Sequence, residues 1–280
     1  MNFGKINKKL LLSVLYFFLN NFVLLLLLTS SFTTKTKTLI ILADAAFLAF
    51  ASNIKWKKIL SEKSSFSELN YLGNLNNPIL SSLAKKAPGT FMHSTNVAQL
   101  CSAAGKAIGL NDQYLRLGGY YHDIGKMKNP MLFIENRPEG ALIDISKEEL
   151  AKNLIAHVED GVKIARKKDL PSEIISVIAQ HHGDTRVDSL KKQNFCYPGP
   201  KPKSKRAAIV MIADCVEAKS RNEKKLNEEA IEKLVTGEIS KKLDSGQLDD
   251  CSLTPAELKK ITKAITETLS HIHHKRKYAK

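Results

Sequence analysis

In the stretch LGGYYHDIGK, Leu117 to Lys126, an imidazole and a carboxylate stand at consecutive positions, His122 and Asp123. Both are metal-ligand or acid–base groups. Neighbours on a helix point about 100° apart, so the two serve one purpose only by flanking something that lies between them. A metal ion would fit, but two side chains are too few to hold one, and the partners must come from elsewhere in the chain. Of the eight histidines, His271, His273 and His274 sit in HIHHKRK and read as an exposed tail. The other five, His93, His122, His157, His181 and His182, fall one or two per expected helix in the order H…HD…H…HH…D, closed by Asp214. A single histidine on an apolar face is usually a core residue; five in this order with two acids read as a site. Asp214 shares its helix face with Val210, Met211 and Ala218, where a buried carboxylate needs a cation.

Helices must carry these residues. HSTNVAQLCSAAGKAIGL places Val97, Leu100, Cys101, Ala104 and Ile108 at helical spacing, with Gly109 as a C-terminal stop. NDQYLRLGGYYHD starts from Asp112 as N-cap and delivers the His-Asp pair at its end. KEELAKNLIAHVEDGVKIARKK, then PSEIISVIAQHH opened by Pro171, then SKRAAIVMIADCVEAKSR bring His157, the His181-His182 pair and Asp214. Two further amphipathic helices, EEAIEKLVTGEISKKL and PAELKKITKAITETL, are joined by DSGQLDDCSLT. No strand-length alternation and no internal repeat stands out, so the expected fold class is all-α. The loop NFCYPGPKPKSK, with three prolines and a glycine, should be irregular and exposed.

Composition bounds the rest. With 280 residues and 43% hydrophobic content the chain makes one or two globular domains, which excludes disorder as the whole answer. The net charge of +15 is not one basic stripe: Lys and Arg exceed Asp and Glu by seven in residues 1–63, by none in 64–185 and by eight in 186–280. The first excess flanks apolar runs and the last alternates with acids on helical sequence, so nucleic acid is not an expected partner. Four scattered cysteines without a CxxC pair read as reduced thiols.

Leu10 to Leu28 is an uncharged run of 19 residues, long enough to cross a bilayer, longer than a signal-peptide core and followed by no good cleavage site. Leu39 to Ala51 is shorter, carries Asp44, and spans only if tilted or extended to Ile54. Two spans put the N-terminus and everything after Lys55 in the cytoplasm. The basic ends KINKK and KWKK agree with that orientation, Lys35 and Lys37 oppose it, and a single span leaves it undecided. The expected organisation is a membrane anchor over 1–54 (one or two transmembrane helices), a linker over 55–77 that is Ser/Asn-rich from Glu62, and a cytoplasmic domain over 78–280.

The order of histidines and aspartates resembles the HD-domain metal-dependent phosphohydrolases. Eight blocks in sequence, APGTFMHS, YYHDIGK, FIENRPEG, HVEDGV, QHHGDT, YPGPKPKSK, MIADCVEAKSR and LDSGQLDDCSLT, narrow the likeness to the cytoplasmic domain of the bacterial seven-transmembrane HD phosphodiesterases, the PgpH type, from about Leu72 to the C-terminus. The resemblance implies a helical HD-domain phosphohydrolase fold, an inner-membrane location with the catalytic domain cytoplasmic, and hydrolysis of cyclic di-AMP to linear pApA. It implies two divalent ions, Mn or Fe by ligand type with Zn allowed. One would be held by His93, His122, Asp123 and Asp214, the other by His157, His181 and His182, with Asp123 as the bridge. Water between two such cations is acidified and aimed at phosphorus. Asp123 and Lys126 are then catalytic residues. Lys126 matches the family's phosphate-contacting lysine, and Tyr197, with Tyr120 and Tyr121, would line a base pocket unless these tyrosines are core. Two departures stand out: the family usually has two histidines where this chain reads Met92-His93, and the family's long extracytoplasmic sensor and further spans are replaced by some 50 residues of membrane-type sequence. Other readings are an HD enzyme for another nucleotide or an alarmone, and a nucleotide-binding sensor without catalysis; a homo-oligomer stays open.

Overall fold

The computed structural model describes residues 67–278 apart from Glu139, 142–143, 188–194, Asn222 and 224–226, with isolated positions before Ser67. The chain divides into two units, Met1–Phe66 and Ser67–Lys280, and the second carries the fold below. Apart from isolated positions both expected spans lie outside the described residues; among the described residues no helix is long and apolar enough to cross a membrane.

Caps written into the sequence decide where helices start. Asn77 accepts a bond from the Ile79 amide ahead of α1 (Pro78–Lys86). Helix α2 (Pro88–Ala107) stops as expected at Gly109, whose φ of +74° lets the Leu110 amide reach back to the Gly105 carbonyl. The N-cap of α3 (Asp112–Tyr121) is Asn111, which accepts from the Gln113 amide. Asp112, expected in that role, sits instead in the first turn and accepts from Ser102 Oγ, because Asn111 one residue earlier already meets the free amides. Ser146 caps α4 (Lys147–Lys167), Pro171 precedes α5 (Ser172–Gln180), Ser204 caps α6 (Lys205–Ser220) and Asn227 caps α7 (Glu228–Asp244). A reciprocal capping box between Thr254 and Glu257 opens α8 (Pro255–Tyr278). Among the described residues there is no strand beyond an isolated bridge between Arg186 and Cys196, so the all-α expectation holds.

Two apolar clusters flank the site. In one, Ala207 to Ala213 of α6 are fully buried and pack with Val97, Leu100 and Ala104 of α2, Val235 of α7 and Ile261, Ile265 and Leu269 of α8. Helix α6 is thus apolar nearly all round and runs through the interior, which is why Asp214 on it is a buried acid. The other joins Leu80 and Leu83 of α1 to Leu117 and Tyr121 of α3, Ile124, and Ile174 and Ile178 of α5. Leu69 and Leu72 belong to it as well, so the segment 67–77, expected as linker, is folded: 67–72 is helical and its leucines are buried. Polar spacing hid those two contacts. The histidine tail is likewise part of α8, with Ile272 buried while His271 and His274 stay exposed. The proline loop is irregular as expected but only partly exposed, since Pro202 is buried. All four cysteines are free thiols.

Candidate metal centre

Five elements aim polar groups at one point. Helix α2 brings His93 from its second turn, α3 ends on His122 and Asp123, α4 contributes His157 from its middle, α5 ends on His181 and His182, and α6 contributes Asp214. Seven residues spread over more than 120 positions of sequence meet here. Gly125 lets this happen: a Cβ there would lie 1.8 Å from the His157 carbonyl oxygen and 2.5 Å from the Gly161 amide nitrogen, so the turn after Asp123 rests directly on the backbone of α4.

The histidines are oriented from behind. The Nδ1–H groups of His122, His157 and His181 donate to the carbonyls of Gly119 (2.8 Å), Leu154 (2.5 Å) and Ile178 (2.8 Å), each three residues earlier. That bond turns every Nε2 toward the centre, where it is the ring nitrogen that can take a cation once it carries no proton. The Nδ1 of His93 is held by a carboxylate instead, Glu217 Oε2 at 2.5 Å, and Glu217 also accepts from Asn96 Nδ2 at 2.9 Å and pairs with Arg221 Nε at 2.9 Å.

Inside the ring, Asp123 Oδ2 lies 3.3 Å from His122 Nε2 and 3.6 Å from His93 Nε2, while Oδ1 lies 3.3 Å from His157 Nε2 and 3.7 Å from His181 Nε2. Asp214 Oδ1 is 3.0 Å from His93 Nε2 and 3.8 Å from His122 Nε2; its Oδ2 is 3.8 Å from His182 Nδ1. Two overlapping donor sets result, His93/His122/Asp123 and Asp123/His157/His181/His182, sharing the aspartate. The set fits divalent cations. Asp123 Oδ2 meets the Lys126 ammonium, but His122 Nε2 and Asp123 Oδ1 are buried without a well-formed hydrogen bond, an arrangement that costs stability unless a cation answers it.

Electrostatics agree with that fit. Burial, reinforced by the neighbouring imidazoles, pushes His181 down to about 3 and His182 well below its ordinary value, so both are neutral. Burial also acts on His93 and His122, but Asp214 with Glu217 in the one case and Asp123 with Asp214 in the other outweigh it and raise both. Asp123 and Asp214 are held well below the carboxylate range: burial opposes, yet Lys126 with His122, and His122 with His93, prevail.

Lys126 is no surface lysine. Its side chain is 13% exposed, with Nζ 2.6 Å from Asp123 Oδ2, 2.9 Å from Glu135 Oε1 and 4.9 Å from the Phe133 ring centre. Tyr197 stacks on His182 at 4.1 Å and 23°, and His182 is the most exposed of the five site histidines. Tyr121 is core, donating its hydroxyl to the Leu72 carbonyl, and Tyr120 packs on the same cluster, so of the three tyrosines only Tyr197 borders the site. Glu217 and Glu135 escaped sequence reasoning. Both lie in blocks quoted for the resemblance, Glu217 in MIADCVEAKSR three residues after Asp214 on an apolar helix and Glu135 in FIENRPEG, but nothing in those blocks marked either glutamate for a role.

A protein-family model described as "HD domain" matches residues 90–219. Over 222 residues the chain is 42% identical to the cyclic-di-AMP phosphodiesterase PgpH of Bacillus subtilis (strain 168), covering 73% of this chain and 31% of that protein. The chain thus spans roughly a third of the length of the curated relatives it matches. The solved HD domain of L. monocytogenes phosphodiesterase PgpH matches with a TM-score of 0.68 at 35% identity, covering 71% of this chain and 100% of that one. The same domain solved in complex with cyclic-di-AMP gives 0.67 at 33%, covering 71% and 99%. Since the chain is 42% identical to the B. subtilis relative over 222 residues and covers the whole of the solved domain at 35% identity, it belongs to the HD-domain family, in its PgpH branch.

Proposed function

We propose that the chain is a metal-dependent phosphodiesterase that hydrolyses cyclic di-AMP to linear pApA. The observation that carries this is the pair of donor sets sharing Asp123, on a domain whose solved relative is described in complex with that dinucleotide. His93, His122, Asp123 and Asp214 would hold one divalent ion and His157, His181 and His182 the other, with Asp123 common to both and Mn or Fe suited to the mixed imidazole and carboxylate donors. When bound, such ions acidify a water and neutralise charge on the phosphate. The chain's own residues do the rest: backbone carbonyls and Glu217 fix the imidazoles, Lys126 meets a phosphate oxygen, and Tyr197 on His182 offers a flat face to an adenine. Residues 1–54 would anchor the enzyme in the inner membrane with this domain in the cytoplasm.

The test incubates the full chain, loaded with Mn, with cyclic di-AMP, cyclic di-GMP and guanosine alarmones and resolves the products by chromatography. Conversion of cyclic di-AMP to pApA, lost in Asp123→Ala together with metal from both positions, is expected. Faster turnover of an alarmone would overturn the substrate, and full metal occupancy in Asp123→Ala would overturn the bridge.

A further inference from the structure

The Lys126 ammonium stands between two carboxylates, and they differ in what else they do. Asp123 supplies an oxygen to each metal donor set, so its direction is fixed by the centre. Glu135 belongs to neither set; its side chain is 7% exposed, and its Oε1 meets Lys126 Nζ at 2.9 Å and accepts from Thr90 Oγ1 at 3.1 Å. A carboxylate so hidden has to be matched by donors, and Lys126 is its cation. We propose that Glu135 is a positioning residue, holding the Lys126 ammonium where a phosphate of the dinucleotide meets it and so setting the affinity for substrate. The proposal rests on the phosphodiesterase reading above.

The cradle is built from the same helix that brings His93. The Thr90 amide, in the first turn of α2, donates to Asn136 Oδ1 at 3.0 Å, and Asn136 Nδ2 donates to Thr90 Oγ1 at 2.8 Å and to the Pro130 carbonyl at 3.2 Å. At Gly89 a Cβ would fall 1.7 Å from the Glu135 carbonyl oxygen, so the helix start and the loop touch backbone to backbone. Arg137 fastens the same loop by donating Nε to the Met131 carbonyl at 3.0 Å. The Glu135 carboxylate is therefore fixed relative to His93, three residues beyond Thr90. A lysine needs such help. Its ammonium rides on four flexible carbons and lacks the rigid fork with which arginine orients itself. Asp123, Glu135 and the Phe133 ring close three sides of it.

A double-mutant cycle on the full chain tests this, with Glu135→Gln, which keeps size and removes charge, Lys126→Ala, and both together. Glu135→Gln should raise KM for cyclic di-AMP about tenfold with kcat changed far less and metal per chain unchanged, the signature of lost ground-state binding. Lys126→Ala should do at least as much, and the double variant should be no worse than Lys126→Ala, because Glu135 acts only through Lys126. Thr90→Val, which removes the hydroxyl beneath Glu135, should shift KM the same way by less. Effects that multiply in the double variant overturn the proposal. An independent arm reads Lys126 itself by mass spectrometry after brief acetylation: the rate at Lys126 should rise several-fold in Glu135→Gln, other lysines serving as reference, and an unchanged rate also overturns the proposal. Should wild type fail to convert cyclic di-AMP while the acetylation arm behaves as expected, the phosphodiesterase reading falls and the positioning of Lys126 by Glu135 stands.

Discussion

At the scale of single residues the protons decide how tightly the centre takes a cation. His122 is raised to about 10 because Asp123 and Asp214 outweigh its burial, so near neutral pH it holds a proton that an incoming cation must displace, and Asp214 and Glu217 raise His93 as well. The sign is therefore fixed: affinity climbs as pH rises, by up to about tenfold per unit for each proton released. Glu217 supplies part of that rise at His93 and also holds its ring from behind. Replacing it with Gln removes the charge but keeps the shape. Titrating Mn into the full chain between pH 6 and 8.5 should show affinity increasing with pH in wild type. In Glu217→Gln the slope should be shallower and the affinity at the alkaline end about 10–100-fold weaker, the usual loss when a partner behind a ligand is removed. A pH-independent dissociation constant in wild type would contradict the protonation states described here.

At the scale of elements, precision comes from backbone contact rather than from side-chain fit alone. The turn 124–128 sits on α4 through Gly125, whose missing Cβ is the reason Asp123 and His157 approach within 3.3 Å. Gly125→Ala has no flexible neighbour to push aside, since the atoms in the way are the His157 carbonyl and the Gly161 amide. The strain should destabilise the domain by about 3 kcal/mol or more, lowering Tm by roughly 6–12 °C with metal content falling alongside. Differential scanning calorimetry of the full chain decides it; an unchanged Tm would mean that the turn and α4 are not in contact. The same scale shows what could be read beforehand. The helices bearing the site were legible because caps, glycine stops and apolar spacing agree, and the seven converging residues were legible because histidines rarely recur in such order beside acids. The role of Glu135 was not, although FIENRPEG carried part of the resemblance, since a glutamate in a short 3-10 turn has the same local sequence whether it is solvated or locked under Thr90. Nor were Leu69 and Leu72, two apolar residues in a polar stretch, whose burial depends on α1 and α3 arriving from later in the chain.

At the scale of the whole molecule, charge and hydropathy divide the work. The acid–base balance is even over 64–185, where most of the centre lies, and the positive excess falls at the two ends. The N-terminal excess brackets Leu10–Leu28 and Leu39–Ala51, and basic residues beside apolar runs are retained on the cytoplasmic face. A two-span anchor would return the chain to the side it started from and would put the domain from Ser67 onward in the cytoplasm. Four free cysteines, Cys196 among them exposed, suit a reducing compartment. A single span would instead have to choose between two basic flanks and could deliver the domain to the oxidising side. A pair of reporters fused after Lys280, one active only in the cytoplasm and one only outside it, separates the two arrangements. Cytoplasmic signal alone is expected. An extracytoplasmic signal would remove the two-span anchor, and with it the access to a cytoplasmic nucleotide on which the proposed activity depends.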